Sequence, residues 1–332
     1  MTREEFIAKY EQDKPMLRAW AQFIIAEIRK HLPEGFEQHS VKIPVSYRLK
    51  DNQSILEKVF IRKKDKYKNP YEEVQDKVGL RWVVLLTEQL ETFCKIIENS
   101  EYWSFSKDRT LNDWEEKPDV FSYQSIHYVL IAKQKLIYEN TEIQIGTPCE
   151  VQLRTLLQHT YSEFDHDTIY KGNLNKSPEV LRYLAKSMAL LETTDELLCN
   201  AKEKFEQINY QEPSYPLIKK SNEIFKSYLK FTGNQILDSE KTAYFILNKI
   251  RSVIDDNQNL SEDNFDKFIK SKEFILEKIK DKQSYFIEFT QPIILLIYFL
   301  VFKNRRRKDW HPFSANIMEK IYTDLGYSYE QD

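Results

Sequence analysis

The chain has 332 residues, of which 41% are hydrophobic and 30% charged, and its formal net charge is −3 at pH 7. This composition excludes a disordered chain and is typical of a globular protein long enough for two domains. A net charge near zero also excludes a global positive field that would attract nucleic acid, so only local basic clusters could serve that purpose.

Three cysteines, Cys94, Cys149 and Cys199, are spread widely along the chain. An odd, sparse set excludes a disulfide framework and a zinc site, and it predicts reduced side chains in a cytoplasmic protein. The N-terminus is charged and amphipathic, so we expect no signal peptide. The most apolar run, 293–302, is about half the length that a bilayer requires, and it predicts a buried helix and no membrane contact.

The first 155 residues alternate between helical and strand patterns. In chain order we predict one or two helices over 2–31, a strand over 41–47, a helix over 54–64, a strand over 80–86, a helix over 87–101, and strands over 128–132, 142–145 and 149–154. Pro44 would place the first strand at an edge of the sheet, and Thr87 is a candidate helix cap. The alternation predicts an α/β (α+β) domain in which helices flank a central mixed β-sheet.

After Thr155 only helical patterns remain. We predict helices over 156–170 and 178–207, a linker over 209–216, and helices over 217–230, 239–257, 262–280, 286–303 and 313–326. Ser239 and Ser261 are candidate caps. The chain is therefore predicted to hold a first domain, 1–208, and an all-α C-terminal domain, 209–332.

Basic and hydroxyl side chains cluster near the first predicted strand. Arg48, Lys50, Ser54 and Lys58 fall within eleven residues, starting at a strand end and continuing into a helix. Several cations and donors around one pocket are what a triphosphate requires. A solvated charged stretch is the alternative that spacing alone leaves open.

Acidic residues occupy two positions beside predicted strands. Asp76 precedes the buried strand 80–86, where a carboxylate suits Mg²⁺, although an ordinary turn aspartate fits equally well. Glu150, Gln152 and Arg154 alternate along one strand and therefore share a face. Three polar groups on an inner strand are costly unless they line a site, so this row is the strongest functional signal in the residues themselves.

Tyr123 and His127 lie four residues apart in the segment Ser122-Tyr123-Gln124-Ser125-Ile126-His127. Three further motifs accompany this segment in chain order: Arg48-x-Lys50-x3-Ser54-x3-Lys58, Asp76-x-x-Gly79-x-Arg81 and Glu150-x-Gln152-x-Arg154-Thr155. Together the four motifs resemble the synthetase domain of the RelA/SpoT family. That family includes (p)ppGpp synthetases, small alarmone synthetases and related toxins. The resemblance covers roughly residues 40–205.

The resemblance implies an ATP:nucleotide 3′-pyrophosphokinase, a transferase that moves pyrophosphate from ATP to the 3′-hydroxyl of a nucleotide. It implies Mg²⁺ as cofactor, with Asp76 and Glu150 as metal ligands and catalytic residues. The implied ATP-binding residues are Arg48, Lys50, Ser54, Lys58, Arg81, Lys107 and Arg154, and the implied acceptor-binding residues are Lys117, Tyr123 and His127. The helix that carries Glu163 and Asp165 is interpreted as mainly architectural.

The acceptor stays open at this stage. GDP or GTP would make an alarmone of the stringent response, whereas toxic members of the family modify the 3′ end of tRNA or adenine nucleotides. Lys117 is not followed by the Asn-Gly that alarmone synthetases commonly carry before the tyrosine, and Phe105 stands where the family often has a cation near Lys107. Basic runs at 62–68 and 305–308 could contact a polynucleotide.

Two alternatives of another class remain. The first is a catalytically inactive nucleotide-binding regulatory module, and the second is an unrelated helical interaction protein. Residues 209–332 carry no catalytic constellation, so we expect them to regulate the enzyme, to bind a protein partner or to form a homo-oligomer.

Overall fold

The structure of the protein is a computed structural model. It describes residues 1–33, 35–63, 66–110, 121, 125–166, 177–211, 214–229, 246–247, 249–250, 253–254, 260–305 and 309–329. The chain divides into two compact units, Met1–Ala201 and Lys202–Asp332. A single helix, Pro178–Gln211, spans the division between them.

The first unit alternates helices and strands. Its elements are α1 (Arg3–His31), α2 (Phe36–Ser40), β1 (Val41–Leu49), α3 (Asn52–Glu57), a π-helix (Lys58–Arg62), α4 (Pro70–Glu73), β2 (Val78–Val84), a 3-10 turn (Thr87–Gln89), α5 (Leu90–Glu98), β3 (Trp103–Arg109), β4 (Ile126–Ala132), β5 (Leu136–Tyr138), β6 (Thr141–Ile143), β7 (Pro148–Thr155), α6 (Leu156–Phe164) and α7 (Pro178–Gln211).

Five strands form one sheet in the order β1-β2-β7-β4-β3. β2 and β7 run parallel, and the other neighbours are antiparallel. The mixed sheet is therefore confirmed, and β1 with Pro44 lies at its edge as expected. β6 corresponds to the strand predicted over 142–145, whereas β3 and β5, the hairpin partner of β6, are additions to the predicted strands.

The two faces of the sheet differ sharply in polarity. One face carries Leu80, Tyr128 and Val151 into an apolar core that α1 and α5 cover. α1 supplies an apolar stripe to this core, and its first turn is closed by a capping box between Thr2 and Glu5. The opposite face carries polar side chains, because successive residues of a strand point to opposite sides.

The start of α5 corrects one expectation. Thr87 does not cap a helix; it opens the 3-10 turn, and the Gln89 side chain accepts hydrogen bonds from the N–H groups of Leu85 and Leu86. The helix predicted over 54–64 begins earlier, because the Asp51 side chain caps α3.

The second unit is helical in its described part, as predicted. Its elements are α8 (Tyr215–Leu229), α9 (Glu262–Ser271), α10 (Phe274–Gln283), a 3-10 turn (Ile287–Thr290), α11 (Ile293–Lys303) and α12 (Ala315–Asp324). The Ser261 side chain caps α9 as expected, whereas Ser239 lies outside the described residues. α11 is buried from Ile293 to Val301. No described helix combines the length and apolar character needed to cross a membrane.

Two predictions for this part of the chain were wrong. α7 continues to Gln211 and α8 begins at Tyr215, so helix occupies five of the eight residues of the expected linker over 209–216. Pro216 lies in the first turn of α8, where proline is compatible with a helix. The helix predicted over 262–280 is two helices separated at Lys272 and Glu273.

Candidate active site

The polar face of the sheet gathers side chains from β1, β2, β4 and β7. Glu150 is paired with Gly79, which is paired with Arg48, and the next row brings together Ser46, Arg81, Gln152 and His127. Arg154 extends the same face of β7. Cross-strand neighbours point to the same side of a sheet, so segments that are more than 100 residues apart in sequence converge on one surface.

A carboxylate between two lysines lies at the entrance to this surface. Asp76 precedes β2, and its Oδ2 atom contacts Nζ of Lys50 and lies 2.5 Å from Nζ of Lys58. Its Oδ1 atom is buried without a hydrogen-bond partner in the described part of the chain. Burial pushes the pKa of Asp76 up, but the two lysines outweigh it and hold the pKa below its usual range.

Backbone contacts fix the position of this carboxylate. The N–H of Lys50 donates to the Lys77 carbonyl at 3.0 Å, and the Tyr10 hydroxyl of α1 lies 2.8 and 2.9 Å from the carbonyls of Lys50 and Lys77. Burial raises the pKa of Tyr10 to about 12. Tyr10 therefore joins the end of β1 to the segment before β2 through two backbone carbonyls. These contacts fix the backbone that carries Lys50 and Asp76.

Lys77 anchors the same turn from inside the protein. Its side chain is 4% exposed, and its Nζ donates to the carbonyls of Tyr71 at 2.6 Å and Val74 at 2.8 Å. Burial lowers its pKa to about 8. Lys77 is therefore a structural cation that faces away from the two site lysines.

The helix that follows β1 changes its winding at Lys58. α3 becomes a π-helix over Lys58–Arg62, closed by the Lys63 N–H donating to the Lys58 carbonyl at 2.9 Å. Single π-helical turns are frequent at functional sites. Burial, and then repulsion from Lys58 and Lys66, lowers the pKa of Lys63. The mouth of the site is thus crowded with lysines around one aspartate.

Glu150 lies deeper on the polar face. Its Oε1 atom is 3.5 Å from Nδ1 of His127, and the Gln152 amide donates to its Oε2 at 3.2 Å. Burial and the charge of Asp76 push the pKa of Glu150 up, but the His127 hydrogen bond outweighs them and the pKa falls below its usual range. Glu150 is paired with Gly79, three residues after Asp76, so both predicted metal ligands lie near the start of β2.

The end of β7 is fixed by a chain of hydrogen bonds. Arg154 donates to Gln152 Oε1 at 2.5 Å and to Ser162 Oγ at 2.8 Å. Thr155 caps α6 and donates its hydroxyl hydrogen to Asp195 of α7 at 2.7 Å. Arg154 is buried, and its hydrogen bond to Gln152 fixes the orientation of that side chain on the polar face.

Arg81 contacts two side chains of α6. Its guanidinium donates to Glu163 Oε1 at 2.7 Å and lies 3.2 Å from Nδ1 of His159. Burial, and then the charge of Arg81, lowers the pKa of His159. The helix interpreted as architectural therefore contacts a predicted ATP-binding residue directly.

Lys107 is not brought to the polar face. It is paired with Tyr128, whose side chain belongs to the apolar face, and its Nζ lies 3.1 Å from Oε1 of Glu98 in α5. A register shift after Lys107 instead pairs Arg109 with His127. Strand alternation thus separates Lys107 from Glu150 and makes Arg109 the cation of β3 nearest the polar face.

The remaining predicted residues divide into two groups. Arg48 is exposed on β1 and Ser54 is half-buried in α3, both beside the Lys50–Asp76–Lys58 cluster in sequence. Lys117 and Tyr123 lie outside the described residues, and so do the basic residues 306–308.

The carboxylates of the site have the chemistry that Mg²⁺ requires in a nucleotide site. No group of three or more His, Cys, Asp or Glu side chains at metal-binding distances exists within the described ranges. Mg²⁺ in nucleotide sites prefers one or two carboxylates together with phosphate oxygens, so a full protein cage is not required. The unpartnered Oδ1 of Asp76 and the ionised Glu150 fit this ion.

Several residues of the site were missed by the sequence analysis. Three residues were missed because they make buried hydrogen bonds that position the site: Tyr10, Lys77 and Asp195. Neither apolar periodicity nor charge in the sequence indicates a hydrogen bond of this kind. Arg109 was missed because β3 was not predicted as a strand.

Part of the chain matches a known protein family. Residues 47–175 match the family model described as "Region found in RelA / SpoT proteins", and every residue predicted for the site falls within that range. No curated protein matches the chain.

Solved structures of similar proteins cover about three fifths of the chain. Small alarmone synthetase 1 from Bacillus subtilis is 21% identical, with 61% of this chain and 97% of that chain covered and a TM-score of 0.47. A GTP pyrophosphokinase family protein from Streptococcus pneumoniae is 23% identical, with 63% and 97% covered and a TM-score of 0.44. Small alarmone synthetase 2 from Bacillus subtilis is 17% identical, with 60% and 97% covered and a TM-score of 0.44.

Proposed function

We propose that the RelA/SpoT region of this chain, residues 47–175, catalyses Mg²⁺-dependent transfer of pyrophosphate from ATP to the 3′-hydroxyl of a nucleotide, with GDP or GTP as the acceptor. The observation that carries the proposal is the half-satisfied carboxylate of Asp76. Two lysines hold one of its oxygen atoms and the other is buried without a partner. A buried carboxylate oxygen is costly unless a ligand completes it.

ATP binding would redistribute the contacts around Asp76. The Nζ groups of Lys50 and Lys58 can turn from Oδ2 towards phosphate oxygens, since both are charge-assisted donors on flexible stems. Arg48 and Arg81 lie on β1 and β2 beside the same entrance, where a planar guanidinium can stack on adenine. Ser54 adds a hydroxyl donor.

The acceptor hydroxyl would meet the donor at Glu150. The 3′-oxygen forms a bond to the β-phosphorus, the bond between the β-phosphorus and the α–β bridging oxygen breaks, and AMP leaves with that electron pair. The hydroxyl proton passes to the Glu150 carboxylate, which His127 and Gln152 hold in place. Asp76 and Glu150 would hold Mg²⁺, which would supply positive charge to neutralise the transferred group.

Positioning and charge neutralisation supply most of the rate in such transfers. The polar face is suited to both, because its carboxylates and cations lie on neighbouring strands of one sheet or in the segments next to the ends of those strands. Lys117 and Tyr123, the residues proposed to bind the acceptor, come between β3 and β4 in sequence, and Tyr123 would stack on the acceptor base. The substrates are nucleotides of the cytoplasm, where we propose that the enzyme acts.

The test is a transfer assay with ATP labelled in the β-phosphate and four separate acceptors: GDP, GTP, AMP and tRNA. We expect labelled product and AMP with GDP or GTP. Label on tRNA or AMP instead would assign the toxin chemistry that the sequence left open. No transfer to any acceptor, with ATP still bound, would identify an inactive nucleotide-binding module and overturn the proposal.

Glu150→Gln separates the chemical step from binding. We expect transfer to fall by roughly 10²–10⁴-fold, the usual contribution of a general base, while ATP affinity is largely retained. Glu142→Gln is the matched control, since Glu142 is exposed on β6 and paired with Lys135. Wild-type turnover in Glu150→Gln would exclude its role.

We also propose that residues 209–332 regulate the enzyme or bind a partner. Their apolar residues, including Ile293 to Val301, are used to build a core, and no catalytic constellation exists in the described part of this unit. A fragment ending at Gln211, where α7 ends, tests this. Equal activity of the fragment and the full chain under every condition would contradict it.

A further inference from the structure

Two side chains of α6 approach the same nitrogen of Arg81. The Nη1 atom of Arg81 donates to Glu163 Oε1 at 2.7 Å and lies 3.2 Å from Nδ1 of His159. His159 and Glu163 are four residues apart, so they share one face of the helix. One predicted ATP-binding cation is therefore contacted by two residues to which the proposed reaction assigns no part.

The contact with Arg81 determines the protonation of His159. A guanidinium has only donors, so Nδ1 of His159 accepts a hydrogen bond from Arg81 and the ring proton lies on Nε2. Burial, and then the charge of Arg81, holds the pKa of His159 below its usual range, which keeps the imidazole neutral at pH 7. His159 and Glu163 are thus a pair of acceptors for one cation.

α6 is attached to the sheet by polar contacts at both of its ends. At its start Thr155, the last residue of β7, caps the helix with its side chain. Near its end Ser162 accepts a hydrogen bond from Arg154 of β7 at 2.8 Å. The positions of His159 and Glu163 are therefore set by β7, the neighbour of β2 in the sheet.

A contribution to folding stability does not account for this arrangement. The side chains of Arg81 and Glu163 are 37% and 48% exposed, and ion pairs with such exposure contribute little to stability. Nε of Arg81 is buried without a hydrogen-bond partner in the described part of the chain, which is a cost. The contact fixes one nitrogen of the guanidinium and leaves more than a third of the side chain exposed, so it orients the group without closing it off from a ligand.

We propose that His159 and Glu163 are positioning residues for ATP, which hold the guanidinium of Arg81 in the orientation that stacks on adenine. This role rests on the proposed function, in which Arg81 contacts the base. Stacking requires a defined plane, and two acceptors on one nitrogen restrict the rotation of the guanidinium before ATP arrives. Such preorganisation strengthens binding, so it lowers the dissociation constant of ATP and leaves kcat unchanged.

An inhibitory role of the same contact would have the opposite signature. A carboxylate that competes with ATP for Arg81 would weaken ATP binding, so its removal would lower the dissociation constant. A positioning carboxylate strengthens ATP binding, so its removal raises the dissociation constant. The sign of one change in affinity therefore separates the two roles.

Calorimetric titration of the full chain with a non-hydrolysable ATP analogue and Mg²⁺ measures this affinity. For Glu163→Ala and for His159→Leu we expect a dissociation constant raised by about three- to tenfold, as for a charge-assisted hydrogen bond at a partly exposed site. His159→Asn should stay within about twofold of the native value, because the Asn oxygen replaces Nδ1 as the acceptor. The matched control, Glu91→Ala, removes an exposed ion pair with Lys95 on α5 and should bind as the native chain does. A lowered or unchanged dissociation constant in both Glu163→Ala and His159→Leu would overturn the proposal.

Two further readouts exclude a purely structural effect of Glu163→Ala. With the acceptor that the transfer assay identifies, this variant should raise KM for ATP and keep kcat within about twofold of native, whereas disruption of α6 would also lower kcat. In an Arg81→Ala background, Glu163→Ala should change the affinity for the analogue by less than about twofold, since Glu163 acts only through Arg81. The full effect in that background, or an equal loss in kcat, would contradict the positioning role.

Failure of this role and failure of the proposed function are distinguishable. A native chain that does not bind the analogue would refute the proposed function and this role with it. A native chain that binds the analogue no more tightly than Glu163→Ala and His159→Leu would refute this role alone.

Discussion

Two partly buried aspartates, one in each unit, show how similar groups can serve different ends. Asp324 of α12 has both oxygens satisfied by Lys282, at 2.8 and 2.6 Å, and Oδ2 also accepts from the Tyr298 hydroxyl at 2.5 Å. Asp76 draws two lysines to Oδ2 and leaves Oδ1 buried without a partner. Both oxygen atoms of Asp324 therefore have partners in the folded protein, whereas Oδ1 of Asp76 would gain one only from a ligand.

The comparison teaches that the number of contacts does not distinguish a structural ion pair from a site. Both aspartates are in contact with lysine, and both are mostly buried. The difference lies in the unsatisfied oxygen of Asp76 and in the surplus of cations around it, because Lys50 and Lys58 both contact Oδ2. A surplus of positive charge around one carboxylate is expected where polyphosphate binds.

The largest expected effect is on catalysis in Asp76→Asn. We expect kcat/KM for pyrophosphate transfer to fall by about 10³-fold or more, because a neutral amide is a poor metal ligand and cannot replace the lost charge. Asp324→Asn is the matched substitution, and each folded molecule of that variant should keep its turnover at 25 °C. Steady-state kinetics on both variants measures this difference. An equal loss of activity in the two variants would contradict the distinction between a site carboxylate and a structural one.

The second effect is on stability, in the opposite pattern. Asp324→Ala should lower the free energy of unfolding of the helical unit by about 3 kcal/mol, because the lysine ammonium loses its buried partner. Differential scanning calorimetry gives the change in melting temperature. The double variant Lys282→Met/Asp324→Leu should recover much of the loss, since no uncompensated charge remains. A neutral effect of Asp324→Ala would mean that the pair is solvated.

The third effect depends on pH and concerns the anchor beside Asp76. The pKa of Lys77 falls from 10.5 to about 8 on folding. Between these values the unfolded chain holds a proton that the folded chain has released, so the free energy of unfolding rises with pH. We expect a gain of about 2 kcal/mol between pH 7 and 9.5 from urea unfolding.

Lys77→Met supplies the control for this pH dependence, and the gain is the difference between the native chain and this variant. Burial also raises the pKa of Cys149 and of Tyr10, so both groups begin to ionise in the unfolded chain within this interval and lower the stability of both proteins equally. Equal slopes for the native chain and Lys77→Met would show that the Lys77 amine is not buried as described.

The smallest effect is expected at Gly79, the cross-strand neighbour of Glu150. An added Cβ would lie 3.6 Å from the Glu150 carbonyl oxygen and 3.7 Å from its Oε2, which is ordinary van der Waals contact. Gly79→Ala should therefore fold normally and lose roughly two- to fivefold in kcat/KM, less than about 1 kcal/mol at the transition state. A loss as large as that of Glu150→Gln would show that the space beside Glu150 admits no methyl group.

The sequence predicted the parts of the fold that depend on local pattern. The sequence correctly predicted the strands β1, β2 and β7 and the helical pattern of α1. An element that buries one face carries apolar residues at regular intervals, and those intervals can be recognised in the sequence. β3 carries Ser104, Ser106 and Asp108 and is largely exposed, so it gave no such period. The supposed linker at 209–216 failed because proline also begins helices.

For the site, the sequence indicated which residues could converge but not how they are oriented. The register of β3 on β4 determines whether Lys107 or Arg109 reaches the polar face, and a shift of one residue reverses the answer. Likewise, the contact of Glu163 with Arg81 joins residues that are 82 positions apart. Such pairings arise from tertiary packing and leave no mark in spacing.

The most direct test of the central claim is a crystal structure of the full chain with a non-hydrolysable ATP analogue and Mn²⁺ in place of Mg²⁺. We expect an anomalous peak between the carboxylates of Asp76 and Glu150, with Lys50 and Lys58 turned from Asp76 to the phosphates. A bound analogue whose metal ion touches neither carboxylate, or lies on the apolar side of the sheet, would contradict it.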